Sequence, residues 1–268
     1  MTILHALILG IIQGLTEFIP VSSTAHLLIA QKLLNIPADD GMFSFLVVVQ
    51  LGTIVSLFIF YWKDLLSIAR ATLDFRRPTP ERNLGLYIII ATIPALLAGY
   101  LLKDKVEALF KTPLLEAAIR LFSAAVLLTL AEYFGKRSRK LEAMTWIDAL
   151  VIGMFQVISV FPGASRSGTT ISGGMLRGLD RPSAARFAFL MSVPVMLAAG
   201  GYQMLDVIQM PNLAEFLPLV AVGFIAALAV GLYAIKWLIG YLGKHSLYVF
   251  SAYCAVVGGI VLLIQTLN

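Results

Sequence analysis

The 268-residue chain is 59% hydrophobic and only 13% charged, with a mean hydropathy of +0.90 and a net charge of +5. Soluble domains run at roughly 45–50% apolar and about 25% charged, so this chain has too little charge to coat a globule of its size. A cytosolic enzyme, a nucleic-acid-binding domain and a disordered chain are excluded, and what remains is an all-α integral membrane protein with short loops.

The first apolar stretch, residues 3–34, is broken by Gln13-Gly14, Glu17, Pro20 and a Ser-Ser-Thr run. It lacks the basic start and A-x-A site of a signal peptide. Two pieces of about 10 apolar residues around a polar break suit half-helices rather than a span, so a re-entrant helix–loop–helix hairpin is expected. Residues 42–62 and 84–102 then read as charge-free spans, and 114–134 as a third, with Glu116 and Arg120 near one end and Glu132 near the other. A second broken stretch, 146–176, is interrupted by Pro162-Gly163 and by Ser165, Arg166 and Ser167, and reads as a second hairpin. Its Asp148 reads as an ordinary acid at a helix start. Spans at 184–205, 216–239 and 247–267 complete six, with kinks expected at Pro94 and Pro194. Cys254 lies within the last span and reads as a space-filling residue.

Loop charge gives the orientation. Residues 63–83 hold Lys63, Arg70, Arg76, Arg77 and Arg82, and residues 135–145 hold Lys136, Arg137, Arg139 and Lys140. Both loops face the same side, and their basic excess makes it cytoplasmic. The acidic loop 206–215 belongs outside, as do both termini. The three lysines of 103–113 are in mild conflict with this arrangement.

A shift of 143 residues carries Gln13 onto Gln156, Phe18 onto Phe161, Ser22 onto Ser165, and the span 42–62 onto 185–205. Each half, about 1–140 and 141–268 of a single membrane domain, is therefore a hairpin followed by three spans. Three is odd, so the halves have inverted topology and their hairpin tips meet near the midplane, where such repeats hold a polar site.

The charges at that depth are Glu17 and Arg166. A charge inside the bilayer costs about 2.5–3.5 kcal/mol on the insertion scale and marks function by default. Around them lie Thr16, Ser22, Ser23 and Thr24 at one tip and Ser165, Ser167, Thr169 and Thr170 at the other. Gln13 and Glu17 are four residues apart, on one helical face, and could hold part of a hard cation such as Mg²⁺, with Ca²⁺ as an alternative. His26 reads as a base or nucleophile beside them. The run from Pro162 to Thr170 has the make-up of an oxyanion cradle, with a helix start expected near Thr169 and Arg166 as a bidentate grip on phosphate. No P-loop and no zinc-ligand cluster is present in the sequence, so the reading is phosphoryl transfer without ATP.

The run Gln13-Gly14-Leu15-Thr16-Glu17-Phe18-Ile19-Pro20-Val21-Ser22-Ser23-Thr24-Ala25-His26 and the run from Pro162 to Gly174, PGASRSGTTISGG, resemble the two signature motifs of the bacitracin-resistance type of undecaprenyl-diphosphate phosphatase. The resemblance covers essentially the whole chain. It implies hydrolysis of undecaprenyl diphosphate to the monophosphate with a divalent cation, at a site open to the outer face of the bacterial cytoplasmic membrane. That reaction recycles the lipid carrier of cell-wall precursors. Carried over by position, Glu17, Ser22, Ser23, His26 and Arg166 match the family's motif residues, while the first motif position, Glu or Gln in the family, is Gln13 here.

The expected partners are a polyprenyl diphosphate and the bilayer, with no nucleic acid, and the oligomeric state, a homodimer included, stays open. Ser23 activated by His26, or a water activated by His26 or Glu17, is the expected nucleophile. A lipid flippase or transporter on the same scaffold is the rival reading.

Overall fold

Backbone groups out of reach of water must be satisfied internally, and a helix does this within one segment. The computed structural model, which describes residues 1–37, 40–74, 78–107, 113–160, 164–209 and 213–267, is accordingly helical. Its elements in order are α1 (Ile3–Thr16), α2 (Ser23–Leu33), α3 (Asp40–Leu73), α4 (Pro80–Glu107), α5 (Pro113–Phe134), a 3₁₀ turn (Leu141–Ala143), α6 (Trp146–Ile158), α7 (Arg166–Leu176), α8 (Arg181–Ile208), α9 (Leu213–Leu242) and α10 (Tyr248–Leu267). Five of these, α3, α4, α5, α9 and α10, are long and apolar enough to cross a bilayer, and α8 matches them in length at 28 residues. The outer faces carry exposed Ile89, Ile93 and Leu97 on α4 and Val249, Val256, Ile260 and Leu263 on α10. Such aliphatic stripes suit lipid rather than water. The protein is a multi-pass membrane protein.

The two broken stretches each fold as a pair of short helices. They have 14 and 11 residues in α1 and α2, and 13 and 11 in α6 and α7. At 1.5 Å per residue none of the four reaches across a hydrocarbon core of about 30 Å.

Several boundaries differ from the sequence reading. The stretch 63–83 is largely helix, because α3 continues to Leu73 with Leu65 and Ile68 packed into the core. Arg76 and Arg77 lie outside the described residues. So do residues 108–112 of the expected outer loop, and the Pro162-Gly163 break. Helices α4 and α8 run on through Pro94 and Pro194, whereas the backbone leaves helical values at Tyr61 in α3 (φ −104°, ψ 17°).

The helices pack crosswise. α1 lies on α9 and α6 on α4; α3 lies on α9 and α8 on α4; α3 meets α8 and α5 meets α10. Exchanging α1–α5 with α6–α10 turns the first two pairings into one another, the next two likewise, and each of the last two into itself, so the set as a whole is unchanged. Small residues permit the approach. A Cβ on Gly14 would stand 2.8 Å from the carbonyl oxygen of Ala227, and one on Gly10 2.4 Å from that of Gly223. Gly14→Val is therefore expected to destabilise the protein by about 1–3 kcal/mol through overpacking against backbone that cannot move aside. A melting curve in detergent checks this, with Leu15→Val on the exposed face of the same helix as the control.

Two buried carboxylates tie the loops to this frame. Glu132 accepts from Arg181 Nε and Nη2 (2.6 and 2.7 Å), from Arg137 Nη1 (2.5 Å) and from the Leu247 amide (2.6 Å), joining α5, α8 and the start of α10. Asp148 forms a capping box with Thr145 at the start of α6 and accepts from Arg139 Nη2 (2.7 Å) and Arg177 Nε (2.8 Å). Burial pushes Asp148 up, but these hydrogen bonds outweigh it and hold the carboxyl below the usual range. The same hydrogen bonding raises Arg139 in the loop. Both carboxylates are structural anchors, consistent with the reading of Asp148 as a helix-start acid.

Candidate active site

The last turn of α1 brings Gln13 and Glu17 onto one face, and the Gln13 amide donates to Glu17 Oε2 at 2.7 Å. The chain then turns sharply. Ser22, with φ at +70°, occupies a backbone region that costs a non-glycine residue energy. Its hydroxyl accepts from the Ala25 amide and so caps α2. Ser23 is thereby the first residue of α2, and its hydroxyl donates to Glu17 Oε2 at 2.7 Å.

The second hairpin supplies the other half. Ser165 caps α7 by accepting from the Gly168 amide at 3.2 Å, which makes Arg166 the first helical residue. The Arg166 guanidinium ion-pairs with Glu17 Oε1. Ser167 donates to the Ile19 carbonyl at 3.5 Å, so the tips meet through side chain and backbone alike. Glu17 is buried and Arg166 half-buried. An ion pair at such depth is weak evidence for stability, because desolvation offsets the attraction.

These groups face a cavity of about 480 Å³. Its polar wall comprises Gln13, Glu17, Ser22, Ser23, Thr24, Ser165, Arg166 and Ser167, joined by Gln50, Arg120, Gln156 and Ser159. Its apolar wall includes Leu27, Leu28, Phe43, Val47, Val195 and Met196. The N-termini of two half-helices, α2 and α7, end at this cavity with their capping serines on its wall. A helix start carries roughly half a positive charge and free amides, so the site favours an anion.

Some expected residues are placed differently. Helix α7 starts at Arg166, earlier than expected, because Ser165 caps it. Thr169 and Thr170 thus fall inside the helix. Both are buried, both hydroxyls donate to the Arg166 carbonyl (2.9 and 2.8 Å), and neither lines the cavity. Thr16 likewise donates to Ile12.

His26 is three residues along α2 from Ser23 and does not bond to it. Its Nδ1 donates to the Ser22 carbonyl at 2.8 Å, which fixes the proton on that nitrogen in the neutral ring. Nε2 then accepts from the Tyr253 hydroxyl at 2.8 Å. The expected Ser23–His26 pair is therefore replaced by Ser23–Glu17.

Arg120 and Gln156 were not singled out as site residues in the sequence. Arg120 sits well inside α5, is buried, and donates from Nη1 to the Ala164 carbonyl at 3.4 Å. In the sequence Arg120 reads as a charge near one end of its span, so only its burial in the fold marks it.

The sequence model of the family described as bacitracin resistance protein BacA matches residues 6–260. The chain belongs to the BacA family. An undecaprenyl-diphosphatase of Mycobacterium marinum is 40% identical over 263 residues, covering 96% of this chain and 92% of its own. One from Alkaliphilus metalliredigens is 37% identical over 278 residues and covers both chains completely. One from Anaeromyxobacter sp. strain K is 39% identical over 267 residues, covering 96% of this chain and 90% of its own. The BacA match runs from within α1 through the second hairpin and includes all the polar groups of the cavity.

Proposed function

We propose that the protein hydrolyses undecaprenyl diphosphate to undecaprenyl phosphate and inorganic phosphate, recycling the carrier lipid of cell-wall synthesis and conferring bacitracin resistance. The observation that carries this reading is the meeting of two half-helix N-termini, an arginine and a serine–carboxylate pair on one cavity with an aliphatic wall. Six spans (α3, α4, α5, α8, α9 and α10) hold two re-entrant hairpins in an inverted repeat, inside the bacterial cytoplasmic membrane with both termini outside. In that frame the apolar wall comes from α2, from the early part of α3, which is its outer half, and from the middle of α8. The prenyl chain enters there, from the outer leaflet.

Arg166, with the capping serines Ser22 and Ser165 and the hydroxyls of Thr24 and Ser167, grips the diphosphate and neutralises charge developing on the transferred phosphoryl group. Ser23 attacks the terminal phosphorus as its proton passes to Glu17, undecaprenyl phosphate leaves, and water then releases phosphate from the serine. His26 acts through the backbone: its bond to the Ser22 carbonyl holds the strained turn that presents Ser23.

A divalent cation fits this site as a shared ligand rather than a caged one. Among the described residues no group of three acidic, histidine or cysteine side chains is present. Glu17 accepts three donors, which leaves about one of its roughly four acceptor positions. Glu17 and the Gln13 carbonyl would hold Mg²⁺ or Ca²⁺, with phosphate oxygens completing the set. The ion would supply charge neutralisation on the diphosphate. Chelation by EDTA is expected to stop turnover and Mg²⁺ to restore it. Gln13→Glu is expected to lower the half-saturating Mg²⁺ concentration about 3- to 10-fold, since affinity rises with ligand charge. A Mg²⁺ titration of initial rates checks this.

The deciding experiment is phosphate release from a prenyl diphosphate by the purified protein in detergent. Hydrolysis needs no sealed membrane, whereas a flippase or transporter does. Phosphate release no faster than that of Arg166→Ala would refute the proposal.

A further inference from the structure

Gln156 on α6 is almost fully buried and lines the cavity, yet neither its amide nitrogen nor its carbonyl oxygen has a hydrogen-bond partner among the described residues. The sequence explains why. Gln156 is the counterpart of Gln13 under the 143-residue shift, and Gln13 donates to Glu17 four residues on. The residue four after Gln156 is Val160, which offers no acceptor. The second hairpin keeps the amide and lacks its partner. Buried polar groups are nearly always bonded, and one left unpaired on a cavity wall points to a ligand. On the same cavity Arg120, Arg166 and the α2 and α7 N-termini favour a polyanion, and Glu17 is held by Arg166. An amide among them adds two neutral donors in a fixed plane.

We infer that Gln156 is a substrate-binding residue, its amide NH₂ donating to a phosphate oxygen of the bound diphosphate. The inference rests on the phosphatase reading above. It has a consequence opposite to that of a structural glutamine. Removing an unpaired buried amide relieves a desolvation cost, so an apolar replacement of similar volume leaves the free protein as stable or more so, while the substrate loses a charge-assisted bond.

Gln156→Leu and Gln156→Met, together with Gln156→Glu, are made in the full chain. Melting temperature, KM and kcat for farnesyl diphosphate, and the Kd of its non-hydrolysable methylene diphosphonate analogue are measured in detergent. For the two apolar variants the melting temperature is expected to hold or rise, and KM and Kd to increase about 10- to 100-fold, with a smaller change in kcat. Gln156→Glu is expected to weaken binding further, and the excess to shrink as Mg²⁺ is raised.

Unchanged KM and Kd in a folded apolar variant would overturn the inference, as in the case of an amide that meets only water. A lower melting temperature in both apolar variants would overturn it too, marking the amide as structural. The wild type run alongside keeps the two readings apart. No phosphate release by the wild type defeats the phosphatase reading, whereas normal wild-type turnover with unaltered variant KM defeats only the role of Gln156.

Discussion

Arg166→Ala is expected to cut kcat/KM for a prenyl diphosphate by about 10³- to 10⁵-fold, the range over which a transition-state arginine acts in phosphoryl transfer. Two independent features set the size. Arg166 is the first residue of α7, so its guanidinium and the helix start converge on the same anion. It is also the partner of Glu17 Oε1, so alanine leaves a buried carboxylate with only the Gln13 and Ser23 donors and adds repulsion toward the incoming diphosphate. Arg166→Lys keeps the charge but loses the planar fork, and is expected to recover only part of the loss. Glu17→Ala should be comparably severe, and the double variant little worse than either single one, because residues acting as a unit are not additive. Rates in detergent, with circular dichroism to confirm that each variant is folded, decide the matter. Turnover near wild type in folded Arg166→Ala would sink the assignment.

The fold was readable in the sequence to the extent that lipid imposes simple rules. A run such as 247–267 has no charge and no break, and α10 occupies nearly the same residues. Short apolar pieces around a polar break gave α1 with α2 and α6 with α7. The helical extension of α3 to Leu73 is hidden in the sequence because Lys63 and Arg70 read as loop charge. An amphipathic extension carries Lys63 and Arg70 on its exposed face, while Ile68 packs inward and Asp64 pairs with Arg186 of α8.

For the site, scarcity of charge singled out Glu17 and Arg166, and the structure brings them into contact. Direction was the harder part. Whether a hydroxyl faces a cavity depends on where its helix starts, and the Ser165 cap turns Thr169 and Thr170 back onto their own backbone. His26 follows Ser23 closely in sequence, but the turn at Ser22 and the Tyr253 hydroxyl draw its ring away. Contacts across 227 residues, such as that of His26 with Tyr253, leave no local trace.

The Ser23–Glu17 hydrogen bond makes the nucleophile a question that one substitution can answer. If Ser23 Oγ attacks phosphorus, Ser23→Ala is expected to lower kcat by about 10⁴-fold or more, in line with the removal of nucleophiles elsewhere. If water attacks instead, with Glu17 as its base, the same change removes one hydrogen bond to a carboxylate and lowers the rate only about 10- to 100-fold. The alternatives also differ in what accumulates. A serine nucleophile gives a phosphoserine trapped by acid quench from substrate labelled at the terminal phosphate, and the label is absent in Ser23→Ala. His26 separates them again. Since its ring reaches Ser22 rather than Ser23, His26→Gln, which keeps a donor for that carbonyl, should retain more activity than His26→Ala. A general base would show no such rescue. A 10⁴-fold loss in Ser23→Ala together with rescue by glutamine would establish Glu17 as the base and His26 as the brace of the turn. A loss of 100-fold or less, with no labelled serine, would instead place an activated water at the phosphorus.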